Sequence, residues 1–100
     1  MGHALYRVTE VQVVGLYKIS VAFDDGNRQT VDLAGILRGE VFGPLRDQKL
    51  FAQVQIDPET HTVVWPNGAD MDSETLHDWP RYAKDMKRLA RKWVAARAPV

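Results

Sequence analysis

The chain contains no cysteine. That absence excludes a disulfide framework, a thiolate zinc site and a cysteine nucleophile, and it makes a reducing, cytoplasmic compartment the simplest expectation. Long apolar runs are missing as well. No stretch approaches the ~18 consecutive apolar residues of a membrane span. The start, Met1-Gly2-His3-Ala4-Leu5-Tyr6-Arg7, lacks the basic stretch and apolar run of a secretory signal. A soluble, unexported protein without membrane contact is expected. The motifs of high chemical specificity are absent too: there is no G-x-x-x-x-G-K-[ST] phosphate loop, no G-x-G-x-x-G after a strand and no H-E-x-x-H helix. The residues therefore point to no catalytic group and no cofactor, and the protein is expected not to be an enzyme.

What is present fits a single domain. One hundred residues, 45% of them hydrophobic, can close one core that hides roughly 60–70% of the surface exposed by the unfolded chain. The formal net charge of zero conceals a division. From Arg81 onward there are seven Lys or Arg against the single acid Asp85, a net of +6, whereas the preceding residues carry six basic and twelve acidic side chains, a net of −6. Such a positive segment either folds back on its own acidic body or faces an acidic partner.

Tyr17, Ile19, Val21 and Phe23 alternate with Lys18 and Ser20, the period of a half-buried strand. Asp24-Asp25-Gly26-Asn27 then supplies a hairpin turn, with Val31 and Leu33 facing inward on the second arm. Tyr6–Val14 reads as a preceding strand whose apolar positions change parity between Val8 and Val11, so a bulge is expected near Thr9 or Glu10. Glycines 35, 39 and 43 with Pro44 allow only short helical turns, around Ala34–Leu37 and Pro44–Asp47. Leu50, Ala52, Val54 and Ile56 alternate again, and Asp57-Pro58-Glu59-Thr60 favours a type I turn into Thr62-Val63-Val64-Trp65, a second hairpin.

Beyond Trp65 the period changes. Asp72 or Ser73 is placed to cap a short helix running to about His77. Asp78 is placed to cap a longer one with Pro80 in its first turn. The reading is an α+β fold: a small antiparallel sheet of two hairpins plus a first strand, short helices, and a C-terminal amphipathic helix over about residues 79–98 packed on the sheet.

That last helix carries the functional candidates. Tyr82, Met86, Leu89 and Trp93 recur at intervals of four, three and four, an apolar stripe that must cover either the protein's own sheet or a protein partner, a second copy included. Arg81, Lys84, Arg88 and Arg91 form a cationic row at intervals of three, four and three, a geometry that can follow a nucleic-acid phosphate backbone. Asp70, Asp72, Glu74, His77 and Asp78 crowd into nine positions, but their spacing matches no metal-ligand pattern, capping accounts for Asp72 and Asp78, and no metal is expected. A weaker reading gathers Asp70, Asp72 and His77 into a small-molecule or hydrolytic site, on condition that they share a pocket.

Phe23-Asp24-Asp25-Gly26, Val31-Asp32-Leu33, Val41-Phe42-Gly43-Pro44-Leu45-Arg46-Asp47, Phe51-Ala52-Gln53-Val54 and Trp65-Pro66-Asn67-Gly68-Ala69-Asp70 occur in that order. Together they resemble the bacterial family called Domain of Unknown Function 2442, over about residues 5–78. The resemblance implies a small α+β domain, found alone or joined to a helix-turn-helix segment, with no established activity. It also implies genomic neighbours of a second small family in an arrangement similar to toxin–antitoxin pairs, and hence an antitoxin-like or regulatory role. This chain continues past the family pattern as one basic helix, too little for a helix-turn-helix motif.

Overall fold

The computed structural model describes the backbone of residues 6–97 and the side chains of residues 6–92. The expected α+β class forms, with its strands divided between two antiparallel sheets. β1 (Val8–Gly15), β2 (Lys18–Phe23) and β3 (Arg28–Asp32) build the larger sheet in that order. β4 (Gln55–Ile56), β5 (Val63–Val64) and β6 (Asp70–Met71) build the smaller. Between the sheets in sequence come two 3-10 turns, Ala34–Ile36 and Gly43–Arg46, and two short helices, α1 (Gly39–Phe42) and α2 (Gln48–Phe51). α3 (Ser73–His77) and α4 (Trp79–Arg97) follow β6.

Local chemistry sets the boundaries. Val8 pairs with Phe23 and Glu10 with Ala22, which leaves Thr9 as the extra residue of the expected bulge and turns Val8 and Val11 toward the same core. The β2–β3 turn has Gly26 at φ 89°, its N–H donating to the Phe23 carbonyl at 3.0 Å. Gly68, at φ 93°, does the same for the β5–β6 turn by donating to Trp65, and a side chain at either position would force a residue into the left-handed region. Asn67 ties that second turn to α1 by donating from Nδ2 to the Val41 carbonyl at 2.8 Å.

The core lies where β2, α2, β5 and the last two helices converge, around Ile19, Val21, Phe51, Trp65, Leu76 and Trp79. Trp65 is its best-anchored member. Its indole N–H donates to the Phe51 carbonyl at 3.0 Å inside the protein, so the one polar atom of the ring is satisfied at burial.

Two expectations are corrected. The alternation of Leu50, Ala52, Val54 and Ile56 makes a strand only at Gln55–Ile56. The Asp47 carboxylate accepts from the Lys49 N–H at 2.9 Å and starts α2 there, which lets Phe51 pack beneath Trp65 with ring centroids 5.9 Å apart. Asp72 caps α3 as expected, but the Asp78 carboxylate turns away from α4 to His77, and its carbonyl alone accepts from Arg81 and Tyr82 at the helix start.

α4 also lies rotated from the expected stripe. Its core-facing line is Trp79, Ala83, Met86 and Ala90, packed near the Ala34–Ile36 turn, α1 and α3. Met86 belongs to both lines; Tyr82 is half-buried, Leu89 is 45% exposed, and the Trp93 side chain lies outside the described residues. Small side chains prevail because Ala83 and Ala90 permit a close approach, while the Lys87 stem lies across Gly35, where a Cβ would stand 2.8 Å from Lys87 Cε. Ala90→Asp should therefore cost more than ~3 kcal/mol by burying an unpaired charge. Leu89→Asp should stay within ~0.5 kcal/mol. Urea unfolding of the two variants checks this, and equal costs would contradict the rotation.

Candidate interaction surface

Helical geometry places Arg81, Lys84, Arg88 and Arg91 on the side of α4 opposite its core-facing line, and all four are exposed. Among the described residues the row's ion pairing is confined to Arg88 Nη1 and Asp85 Oδ1 at 3.9 Å, a pair 70% and 67% exposed. Pairs of that kind contribute little. The Arg81 guanidinium stands 5.8 Å from the Tyr82 ring centroid. The ion pairs Arg28–Glu10, His77–Asp25 and His77–Asp78 of the acidic body do not involve the row. Lys84, Lys87, Arg88 and Arg91 instead share a shallow depression of about 280 Å³, where four like charges reinforce one another's potential.

A second concavity opens beside the same helix. It measures about 360 Å³, and Phe42, Met71 and Met86 form its apolar part, with Asp57, Asp70, Asp72 and three threonines around them. Met86 is thus both a member of the apolar stripe and a wall of the cleft. The N–H groups of Glu59 and Thr60 hold the Asp57 carboxyl below the usual carboxylate range, so it stays charged. Asp72 accepts from Thr75 at the head of α3. Asp70 pairs with Val64 in the smaller sheet, and its exposed carboxylate has no hydrogen-bond partner among the described residues.

His77 does not reach this cleft, so the trio Asp70, Asp72 and His77 is not brought together. The imidazole clamps two distant parts of the chain. Nε2 meets Asp25 Oδ2 at 2.7 Å and Nδ1 meets Asp78 Oδ1 at 2.9 Å. Tyr6 stacks on the ring with centroids 3.7 Å apart, Phe23 meets it edge-on at 4.9 Å, and Gln29 Nε2 donates to the His77 carbonyl at 2.8 Å. Burial opposes the charge on His77, but the bonds to Asp78 and Asp25 outweigh it and hold the pKa above the ordinary histidine value. Asp25 sits below the ordinary carboxylate value, chiefly through the Asn27 N–H and, against the penalty of burial, through His77 and the Asn27 side chain. Occupied at both nitrogens, the ring has no free lone pair for a base or a ligand. Among the described residues no group of three or more His, Asp or Glu is arranged to hold a metal ion.

The clamp was invisible to sequence reasoning. Asp25 reads as a turn residue and Asp78 as a cap, and a bond across fifty-two positions leaves no local pattern. The cleft was half visible. Asp70 and Asp72 stand out as an acidic run, while Asp57 reads only as a turn former.

A family model described as Protein of unknown function (DUF2442) matches residues 8–82. No curated protein and no solved structure matches the chain. The family match ends inside α4, so Met86, Leu89 and the cations from Lys84 onward lie beyond it. Among the described residues no helix is long and apolar enough to cross a membrane.

The clamp gives stability a defined pH dependence. His77 contributes fully below its ordinary pKa of 6.5 and loses that contribution as pH rises through its raised folded value. Asp25 contributes above its ordinary 3.8 and loses it as pH falls through its depressed folded value. The urea midpoint should fall as pH rises above 6.5, and His77→Gln should flatten that decline. An unchanged decline in the variant would contradict the clamp.

Proposed function

Because this chain belongs to the family described as Protein of unknown function (DUF2442), we propose, starting from that membership, that it is a non-enzymatic protein-interaction module whose contact surface is the outward side of α4. The observation that carries this reading is Leu89, 45% exposed on an apolar line whose neighbour Met86 is half-buried. Tyr82, Met86, Leu89 and Trp93 are its anchors. Covering such a line returns roughly 25 cal/mol for each Å² of apolar surface removed from water, and the flanking cations steer an acidic partner into place. In a bacterial cytoplasmic two-protein system of the kind the family resemblance implies, the module is the antitoxin-like or regulatory member.

A second reading assigns the row Arg81, Lys84, Arg88 and Arg91 to nucleic acid. It is favoured by the exposure of the row and by the weakness of its pair to Asp85. The excess of acid in the residues before α4 opposes it, since a long polyanion would be repelled by that body.

Pull-down of the neighbouring gene's product by the full chain tests the first reading: Leu89→Glu and Trp93→Ala should each reduce retention at least ~10-fold. Retention unaffected by both would exclude this surface. For the second, a duplex DNA titration should give a log–log salt slope of about −3 to −4 for four phosphate contacts. Absence of binding at low salt removes that reading.

A further inference from the structure

Two surfaces of opposite sign lie on this one chain. On one, Arg81, Lys84, Arg88 and Arg91 are exposed, with a single weak, local ion pair among the described residues. On the other, the cleft combines the apolar side chains Phe42, Met71 and Met86 with the carboxylates of Asp57, Asp70 and Asp72. That combination suits a lysine or arginine side chain, whose methylene stem wants apolar contact while its head wants carboxylate oxygens. The volume of about 360 Å³ accommodates one or two such side chains rather than a whole helix.

The row on α4 does not supply that side chain to its own cleft. The helix is docked through Trp79, Ala83, Met86 and Ala90, and helical geometry puts Arg81, Lys84, Arg88 and Arg91 on the side opposite Met86, which walls the cleft. A second copy can. From these complementary charges we infer that the chain forms a two-fold dimer in which cations of α4 from each copy enter the acidic cleft of the other, with Tyr82 and Leu89 closing over the seam beside Met86. The inference rests on the module reading in taking the outward side of α4 as the contact surface, and it names the occupant.

A two-fold arrangement uses both surfaces twice. It also explains the charge division: +6 in the segment from Arg81 and −6 before it cancel between copies as they do within one. Thr60, Thr62 and Thr75 around the cleft supply further acceptors for an ammonium or guanidinium head.

Sedimentation equilibrium of the full chain reads the outcome. A mass of twice 11.3 kDa is expected at low salt, shifting toward the monomer as salt rises. Asp70→Lys alters a carboxylate with no described partner, and Lys84→Glu with Arg88→Glu reverses the row. Each set alone should weaken association at least ~10-fold by placing like charges together. Mixing the two variant proteins should restore a dimer, because the Asp70→Lys side chain of one then meets the Lys84→Glu and Arg88→Glu side chains of the other. Far-ultraviolet circular dichroism identifies any variant that fails to fold, and Asp70→Asn against Lys84→Gln then serves as the milder pair.

A wild-type chain that stays monomeric, or a mixture that does not re-associate, overturns the dimer. So does a monomer that binds duplex DNA through Lys84 and Arg88, which would give the row to phosphate. A monomer that still captures the neighbouring gene's product through Leu89 would overturn the dimer and leave the module reading standing. A restored dimer that retains no second protein would do the reverse.

Discussion

A helix has more circumference than one neighbour can cover, and in this protein the choice of covered face governs what remains. The body takes the line of Trp79, Ala83, Met86 and Ala90. Alanines on that line bring the backbone close, and the Lys87 stem settles over Gly35. The consequence is an apolar flank, with Leu89 exposed and Tyr82 half-buried, and beyond it a cationic side directed at solvent. A line of larger residues would have held the helix further out and hidden the flank. Packing at the alanines thus leads directly to an unsatisfied surface, and the interaction reading follows from that surface.

The start of the helix is held as firmly as its length. His77 ends α3, Trp79 begins α4, and the imidazole joins this junction to the β2–β3 turn through Asp25. Tyr6 and Phe23 shield the ring, and Gln29 fixes its carbonyl. Sheet and helix are therefore linked by a charge-assisted bond in a partly desolvated setting, where such bonds are stronger than at an open surface. The same occupancy that orients the helix engages both ring nitrogens, so His77 acts as a mechanical joint.

Sequence legibility followed interaction range. The bulge at Thr9, the turn at Gly26, the Asp72 cap and the amphipathic last helix all depend on residues within a few positions of one another, and each was readable. The strand expected from the alternation of Leu50 to Ile56 is shortened to Gln55–Ile56, because a capping Asp47 and the burial of Phe51 against Trp65 outweigh the alternation. The helix was placed correctly but its rotation was not. Hydrophobicity ranks Leu89 above Ala90, whereas close packing prefers the smaller side chain. The His77 clamp and the acidic cleft join residues from separate elements, so no window of sequence contains them.

The division of α4 into a covered and a free side is best tested by thiol labelling, because the chain has no cysteine of its own. Single cysteines at positions 83, 84, 88, 89 and 90 can be reacted with a soluble maleimide in dilute solution. Positions 84, 88 and 89 should label at least ~10-fold faster than 83 and 90, whose reaction requires local opening. Equal rates at 89 and 90 would mean that the helix is not docked by its alanine line, and the surface built on that docking would not exist.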